Sequence, residues 1–314
     1  MEYIKNFHNL DKNSVDEAGG KGASLGEMTQ AGINVPPGFV VLSDAFEKFL
    51  IDTKLNVEID AALDTVNHEE IHTIERASEK IHALVVGSEM PEDIGHSIIA
   101  AFHQLKGDLV AVRSSATAED SSEAAWAGQL ETFLNTSEET LLDNVKKCWA
   151  SLFSPRAIFY RFEKGLHDKK ISVGVVVQKM IQCEISGIAF SVHPVTQDRN
   201  QLIIEASYGL GEAIVSGQIT PDSYVVDKED WHFIDVHLSE QKKMMVKCKD
   251  GGTEWKDVPA SKSSKQVLTD EEIVKLSKIV VKIEKHYDFP VDIEWGMLDD
   301  ELFILQSRPI TTLK

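Results

Sequence analysis

Three stretches of this 314-residue chain combine residue types suited to a phosphorylated ligand. Gly19-Gly20-Lys21-Gly22 offers backbone N–H groups unobstructed by side chains together with one ammonium, a combination that suits phosphate oxygens. It lacks the G-x-x-x-x-G-K-[ST] spacing of a Walker loop, and a solvated lysine in a glycine turn fits the same four residues. Arg113 follows the apolar run Leu109 to Val112 and precedes Ser114-Ser115-Ala116-Thr117, which places a guanidinium at a strand end among hydroxyls and free amides. Such a fork matches phosphate bidentately, although a surface pair with Glu119 or Asp120 would use the same residues. At the C-terminus, Asp292-Ile293-Glu294-Trp295 and Leu305-Gln306-Ser307-Arg308 flank Asp299-Asp300. A hairpin turning there sets 294 and 306 nearly opposite, so a carboxylate, an amide oxygen and a guanidinium converge on one face. Mg²⁺ takes a carboxylate and other hard oxygens while keeping water and phosphate ligands. Glu294 and Gln306 are therefore candidate metal ligands and Arg308 a candidate phosphate clamp. A purely structural cross-strand pair is the competing reading.

These residues need elements to hold them. Phe39 to Leu42 reads as a strand after Pro36-Pro37-Gly38, and Ser43 to about Lys106 as helix in three segments broken near Val66-Asn67 and by Gly87 to Pro91. Arg113 to Ala124 reads as a polar loop. Thr136 with Glu139, and Thr269 with Glu272, have capping-box spacing ahead of apolar residues at helical intervals. Between them lie β-branched runs at 173–181, 187–192, 201–206 and 223–227, so the second half is expected to be sheet-rich. Residues 249–266 read as an exposed loop, and Val291 to Met297 with Glu301 to Gln306 as the hairpin. His193, in Ser191-Val192-His193-Pro194, is the histidine most suggestive of a loop site.

Composition limits the partners. No apolar run exceeds five residues, against about 20 for a membrane span. The start of the chain lacks the basic and apolar regions of a signal peptide, so a cytoplasmic protein is expected. A formal charge of −19 opposes nucleic acid and anionic membranes, so a polyanionic ligand needs a local cationic pocket. Three scattered cysteines, 148, 183 and 248, form no metal motif and read as inert thiols. G-x-S-x-G, H-E-x-x-H and G-x-G-x-x-G are absent; Gly209-Leu210-Gly211 lacks the third glycine.

Taken together, Gly19 to Met28, Val35 to Phe39, Ala111 to Asp120, Gly128-Gln129-Leu130-Glu131-Thr132, Gly209 to Glu212 and Gln306-Ser307-Arg308-Pro309 resemble the N-terminal nucleotide-binding domain of the phosphoenolpyruvate synthase and pyruvate phosphate dikinase family. Rifampin phosphotransferase shares that domain. The motifs stand in the family's order from about residue 4 to residue 312. The resemblance implies an α+β ATP-grasp fold, two lobes with the nucleotide cleft between them, here 1–172 and 173–314. It implies ATP and Mg²⁺ as cofactors. It also implies transfer of the β-phosphate to a histidine on a separate swivelling domain, with AMP formed and pyruvate or another hydroxyl as final acceptor. By similarity, Lys21 and Arg113 match triphosphate-binding positions, and Gly128 and Thr132 the glycine-rich loop over the phosphates. Gln178 and Met180 match the adenosine side of the cleft, Glu294 and Gln306 the metal and phosphate positions, and Arg308 the arginine on the transferring phosphates.

The family's phosphohistidine motif and its acceptor-binding barrel do not occur in these 314 residues. The expected partners are therefore a histidine-bearing swivelling domain or subunit and an acceptor-binding domain or subunit. The chain would be either a domain cut from a longer enzyme or a stand-alone ATP subunit, as in split systems similar to phenylphosphate synthase. The alternative from another class is a non-catalytic module that senses ATP or binds a partner.

Overall fold

The computed structural model describes residues 2–117, 131–166, 172–249, 251–311 and 313. It divides into two compact units, Met1–Glu27 with Pro37–Met180, and Met28–Pro36 with Ile181–Lys314. Helix and sheet are mixed throughout, which is the expected α+β class. Among the described residues no helix is long and apolar enough to cross a membrane.

The first unit holds β1 (Ile4–Asn6), α1 (Val15–Gln30, its last turn counted with the second unit), β2 (Gly38–Val41), α2 (Ser43–Asp52), α3 (Leu55–Leu63), α4 (Ile71–Gly87), α5 (Glu92–Gln104), β3 (Val110–Ala116), β4 (Thr132–Thr136), α6 (Glu138–Ala150), α7 (Pro155–Glu163) and β5 (Val173–Lys179). Its five strands form one antiparallel sheet in the order β1-β2-β5-β3-β4. Strand alternation sorts the side chains into two sets. Phe39, Val41, Val110, Val112, Val173, Val175 and Val177 join the core with apolar residues of the helices, such as Phe46, Ile81 and Trp149. Val40, Ala111, Arg113, Ser115, Val176 and Gln178 take the opposite face. There α1 approaches closely: a Cβ on Gly22 would touch Val40, and one on Gly174 would press on the Ala18 carbonyl.

Four helices, not three, fill 43–104, because Lys54 adopts φ 61° and breaks the first segment between α2 and α3. The Thr136–Glu139 capping box does not form. Thr136 pairs with Val110 as the last residue of β4, its hydroxyl bonds Phe133 O and receives the Asn144 amide, and Ser137 becomes the N-cap of α6. Further along α6, the buried Lys146 donates to Val86 O (2.8 Å) and Ser88 O (3.1 Å), covering orphan carbonyls at the end of α4. Lys146→Met, which keeps the aliphatic stem and removes the donor, is expected to cost about 1–3 kcal/mol, read from the denaturant midpoint.

In the second unit β6 (Ile185–Phe190), β7 (Gln201–Tyr208), β8 (Asp222–Asp227) and β9 (Phe233–His237) join β12 (Val291–Leu298) and β13 (Glu301–Pro309) in an antiparallel sheet ordered β13-β12-β6-β7-β8-β9. The short α8 (Glu212–Val215) follows β7, and α9 (Asp270–Tyr287) packs against β7 and β12. The α9 capping box forms as expected: Thr269 Oγ1 accepts from the Glu272 N–H, and Glu272 accepts from the Thr269 N–H at 2.7 Å. The stretch expected as an open loop at 249–266 contains instead β11 (Thr253–Asp257), paired with β10 (Lys243–Lys247). Gly251 and Gly252 supply the positive φ that lets the chain reverse between those two polar strands.

The two compact units part after Met180. β5 pairs with both β2 and β3, which places its valines in the first unit's core. Strand propensity marks 173–179 as a strand but carries no information about which sheet receives it.

Candidate functional site

In the first unit the glycine cluster is helical, not a free loop. α1 breaks at Gly19 (φ 70°, ψ 170°) and resumes at once, so Gly20, Lys21 and Gly22 form the first turn of its second segment. That turn presses on β3, where the Gly22 N–H donates to Ser115 Oγ at 3.3 Å. Lys21 is half-buried, and its charge reaches the Cys148 thiol, which burial nonetheless pushes far up. Cys148, Cys183 and Cys248 are all free, Cys148 and Cys183 buried and Cys248 partly so.

Arg113 lies inside β3 and not at a strand end, because pairing with β5 continues to Ala116. The amides that follow it are also committed: the Ser114 N–H donates to Glu131 O and the Thr117 N–H to Ser172 O. Arg113 is 9% exposed and stands directly opposite Thr132 on β4. Opposed residues of an antiparallel pair share a face, so Arg113 and Thr132 lie on the α1 side of the sheet with Ser115, which the Lys21 turn touches. Gln178, 2% exposed, pairs with Gly38 and Ala111 on the same face. The Met180 N–H donates to Leu109 O and so is not free for a ligand. Gly128 lies outside the described residues. His193 Nδ1 accepts from the Val195 and Thr196 N–H groups, which makes it a local turn-former.

In the second unit the hairpin forms as expected. β12 and β13 join through Asp299 and Asp300, both at positive φ (51° and 60°), the conformation a two-residue type I′ turn requires. A bulge at Leu305 then shifts the register, so Glu294 faces Gln306 and Asp292 faces Arg308. Arg308 grips Asp292 Oδ2 through Nε (2.8 Å) and Nη2 (2.7 Å). Burial holds the Asp292 carboxyl above the usual carboxylate range and the Glu294 charge adds to this, outweighing Arg308, which pulls the other way.

One residue of this face is not read from the sequence. Glu205 on β7 pairs with Ile188 on β6, which pairs with Glu294. A single row therefore runs Glu205, Ile188, Glu294, Gln306 across four strands. Burial and the charge of Asp292 both push the Glu205 carboxyl up. The available signal is a glutamate inside the otherwise apolar strand Leu202-Ile203-Ile204-Glu205-Ala206. A carboxyl that binds its proton more tightly folded than unfolded makes stability fall as pH rises from its ordinary 4.5 through the raised folded value. Glu205→Gln removes that slope. In EDTA the variant's melting temperature is expected to exceed wild type at pH 8 by a margin that shrinks toward pH 4, read by thermal unfolding across that range.

A hard divalent cation fits this face. Carboxylate and amide oxygens are the donors present, and the Gln306 amide, in a residue only 7% exposed, has no hydrogen-bond partner among the described residues.

Similarity to known proteins runs along the whole chain. It is 45% identical over 320 residues to the "Probable phosphoenolpyruvate synthase" of Methanothermobacter thermautotrophicus, covering 100% of this chain and 46% of that protein. It is 39% identical over 359 residues to the "Phosphoenolpyruvate synthase" of Pyrococcus furiosus, covering 99% of this chain and 44% of the relative. The "Rifampicin phosphotransferase" of Bacillus cereus is 40% identical over 315 residues, covering 99% of this chain and 36% of its own length. The chain thus spans less than half the length of each. Residues 15–314, which hold Lys21, Arg113 and the whole β12–β13 hairpin, match the family described as "Pyruvate phosphate dikinase, AMP/ATP-binding domain". On that match this chain belongs to the pyruvate phosphate dikinase AMP/ATP-binding domain family.

Proposed function

We propose that the chain is the ATP-binding part of a phosphotransferase of the ATP-grasp type, which binds Mg-ATP and delivers the β-phosphate to a histidine on a separate swivelling domain or subunit, releasing AMP as the bond between the α- and β-phosphates breaks and passing the γ-phosphate to water or inorganic phosphate. The acceptor beyond that histidine is pyruvate, as in phosphoenolpyruvate synthase, or another hydroxyl compound held by a further domain or subunit. The observation that carries this reading is the β12–β13 face. Arg308, fixed by Asp292, stands one row from Glu294 and Gln306 in a chain of an AMP/ATP-binding family.

In this reading Lys21, Arg113 and Thr132 of β4 bind triphosphate oxygens from the first unit, with Gly128 as a further phosphate-binding position. Gln178 and the backbone at Met180 face the adenosine. Glu294 and Gln306 hold Mg²⁺, which would neutralise charge on the phosphate oxygens. Arg308, gripped by Asp292 and 39% exposed, contacts the transferring phosphate. Phosphoryl transfer asks little covalent help of a protein. Alignment and charge neutralisation supply most of the rate, and these cations provide both within a chain of net charge −19.

The test supplies the purified chain with Mg-ATP and the histidine-bearing domain of one of these relatives, and measures AMP. AMP formation with label on the histidine is the expected result. ATP binding without AMP in the presence of a competent histidine domain would identify the chain as a nucleotide sensor instead.

A further inference from the structure

The face of β6, β7, β12 and β13 turned away from α9 carries polar groups beyond Glu294 and Gln306 of the proposed metal site. The Glu205 carboxylate has no hydrogen bond or ion pair among the described residues, and the neighbouring Asp292 charge repels it. Two positions along β7 on the same face, Ser207 is fully buried and its Oγ also lacks a partner. Gln306, at the other end of the row, is the third such group. Buried polar groups in folded proteins are almost always satisfied, so the unpartnered Ser207 hydroxyl and Gln306 amide point to a ligand on this face, and the half-buried Glu205 carboxylate beside them to one of positive charge. Arg308 is gripped by Asp292 in the neighbouring row. Glu205 and Glu294 stand two strands apart, about 10 Å between backbones. Ile188 lies between them, and two extended glutamate side chains can span that separation to one ion.

We propose that Glu205 is a cation ligand, which shares with Glu294 and Gln306 a site for one hard divalent ion that the chain holds before nucleotide arrives. The inference rests on the metal reading of Glu294 and Gln306 given above and adds a ligand from β7, a strand outside the hairpin. It means that the ion is anchored by three strands of the sheet, and that the nucleotide meets a charged site already assembled.

The test titrates Mn²⁺ into the full chain without nucleotide and follows the free ion by electron paramagnetic resonance, with Mg²⁺ as competitor. Wild type is expected to bind Mn²⁺. Glu205→Gln should weaken binding about tenfold or more, Glu205→Asp should fall between, and Glu294→Gln should weaken it at least as far as Glu205→Gln. Thermal unfolding in EDTA establishes that each variant is folded. Unchanged Mn²⁺ affinity in Glu205→Gln alongside a loss in Glu294→Gln would overturn the assignment of Glu205 and leave the Glu294 site standing. Absence of Mn²⁺ binding by wild type, or binding unaffected by Glu294→Gln, would overturn both assignments.

Discussion

Replacing Arg308 by Ala is expected to cut AMP formation in the reconstituted assay by about a thousandfold or more, the range in which an arginine on a transferring phosphoryl group acts. The fold should largely survive. The Arg308 side chain is 39% exposed, so loss of its ion pair costs about 1 kcal/mol. Most of that loss comes from Asp292, whose carboxyl is already pushed up by burial and by Glu294 and would lose its one compensating cation. Arg308→Lys is the informative companion. A lysine keeps the charge but cannot grip Asp292 through two nitrogens while presenting a third to phosphate, so most of the rate should stay lost. Asp292→Asn tests the positioning half of the pair: the guanidinium remains but is no longer fixed, and turnover should fall while ATP affinity changes less. Retention of the wild-type AMP rate by Arg308→Ala would refute the assignment of the β12–β13 face to phosphoryl transfer.

Gly19→Ala is expected to lower the stability of the first unit by about 2–4 kcal/mol, seen as a drop in its unfolding midpoint. Two effects act together. The residue sits at φ 70°, which costs an L side chain about 1–2 kcal/mol, and a Cβ there would run into the Ser115 carbonyl and hydroxyl. Neither atom can retreat cheaply, since Ser115 belongs to a strand paired with β5, opposite Gly174. The expected relief is to move the kink off β3, which breaks the Gly22 N–H bond to Ser115 Oγ and shifts the turn that carries Lys21. ATP affinity should therefore fall with stability. Gly165→Ala, in the same unit, is the control: its φ is also positive, but no atom lies within 4 Å of the added methyl, so only the backbone cost remains. Equal losses at the two positions would show that the close approach to Ser115 contributes nothing.

Much of the candidate site is legible in the chain because its signals are local. Asp299-Asp300 between two β-branched runs marks a hairpin, since both residues tolerate the left-handed region, and that alone brings the neighbourhoods of 294 and 306 together. Thr269 with Glu272 starts a helix for equally local reasons. The α+β class follows from such runs in order, and so does the family, because the motifs from Gly19 to Pro309 stand in the family's order.

Tertiary structure decided what depends on neighbours distant in the chain. A regular two-residue hairpin would set Leu305 opposite Glu294. The bulge brings Gln306 there, and a register slip of one residue changes which face a side chain takes. Whether Arg113 ended a strand depended on β5, which reaches it from some sixty positions later and extends the pairing to Ala116. The Thr136 capping box failed because β3 claimed Thr136 for the sheet first. The assignment of β5 to the first unit, and of Glu205 to the row of Glu294, likewise rests on strand order, which no window of local sequence contains. Residue types and short spacings thus determined which residues are candidates for phosphate and metal chemistry, and strand pairing determined which of them share a face.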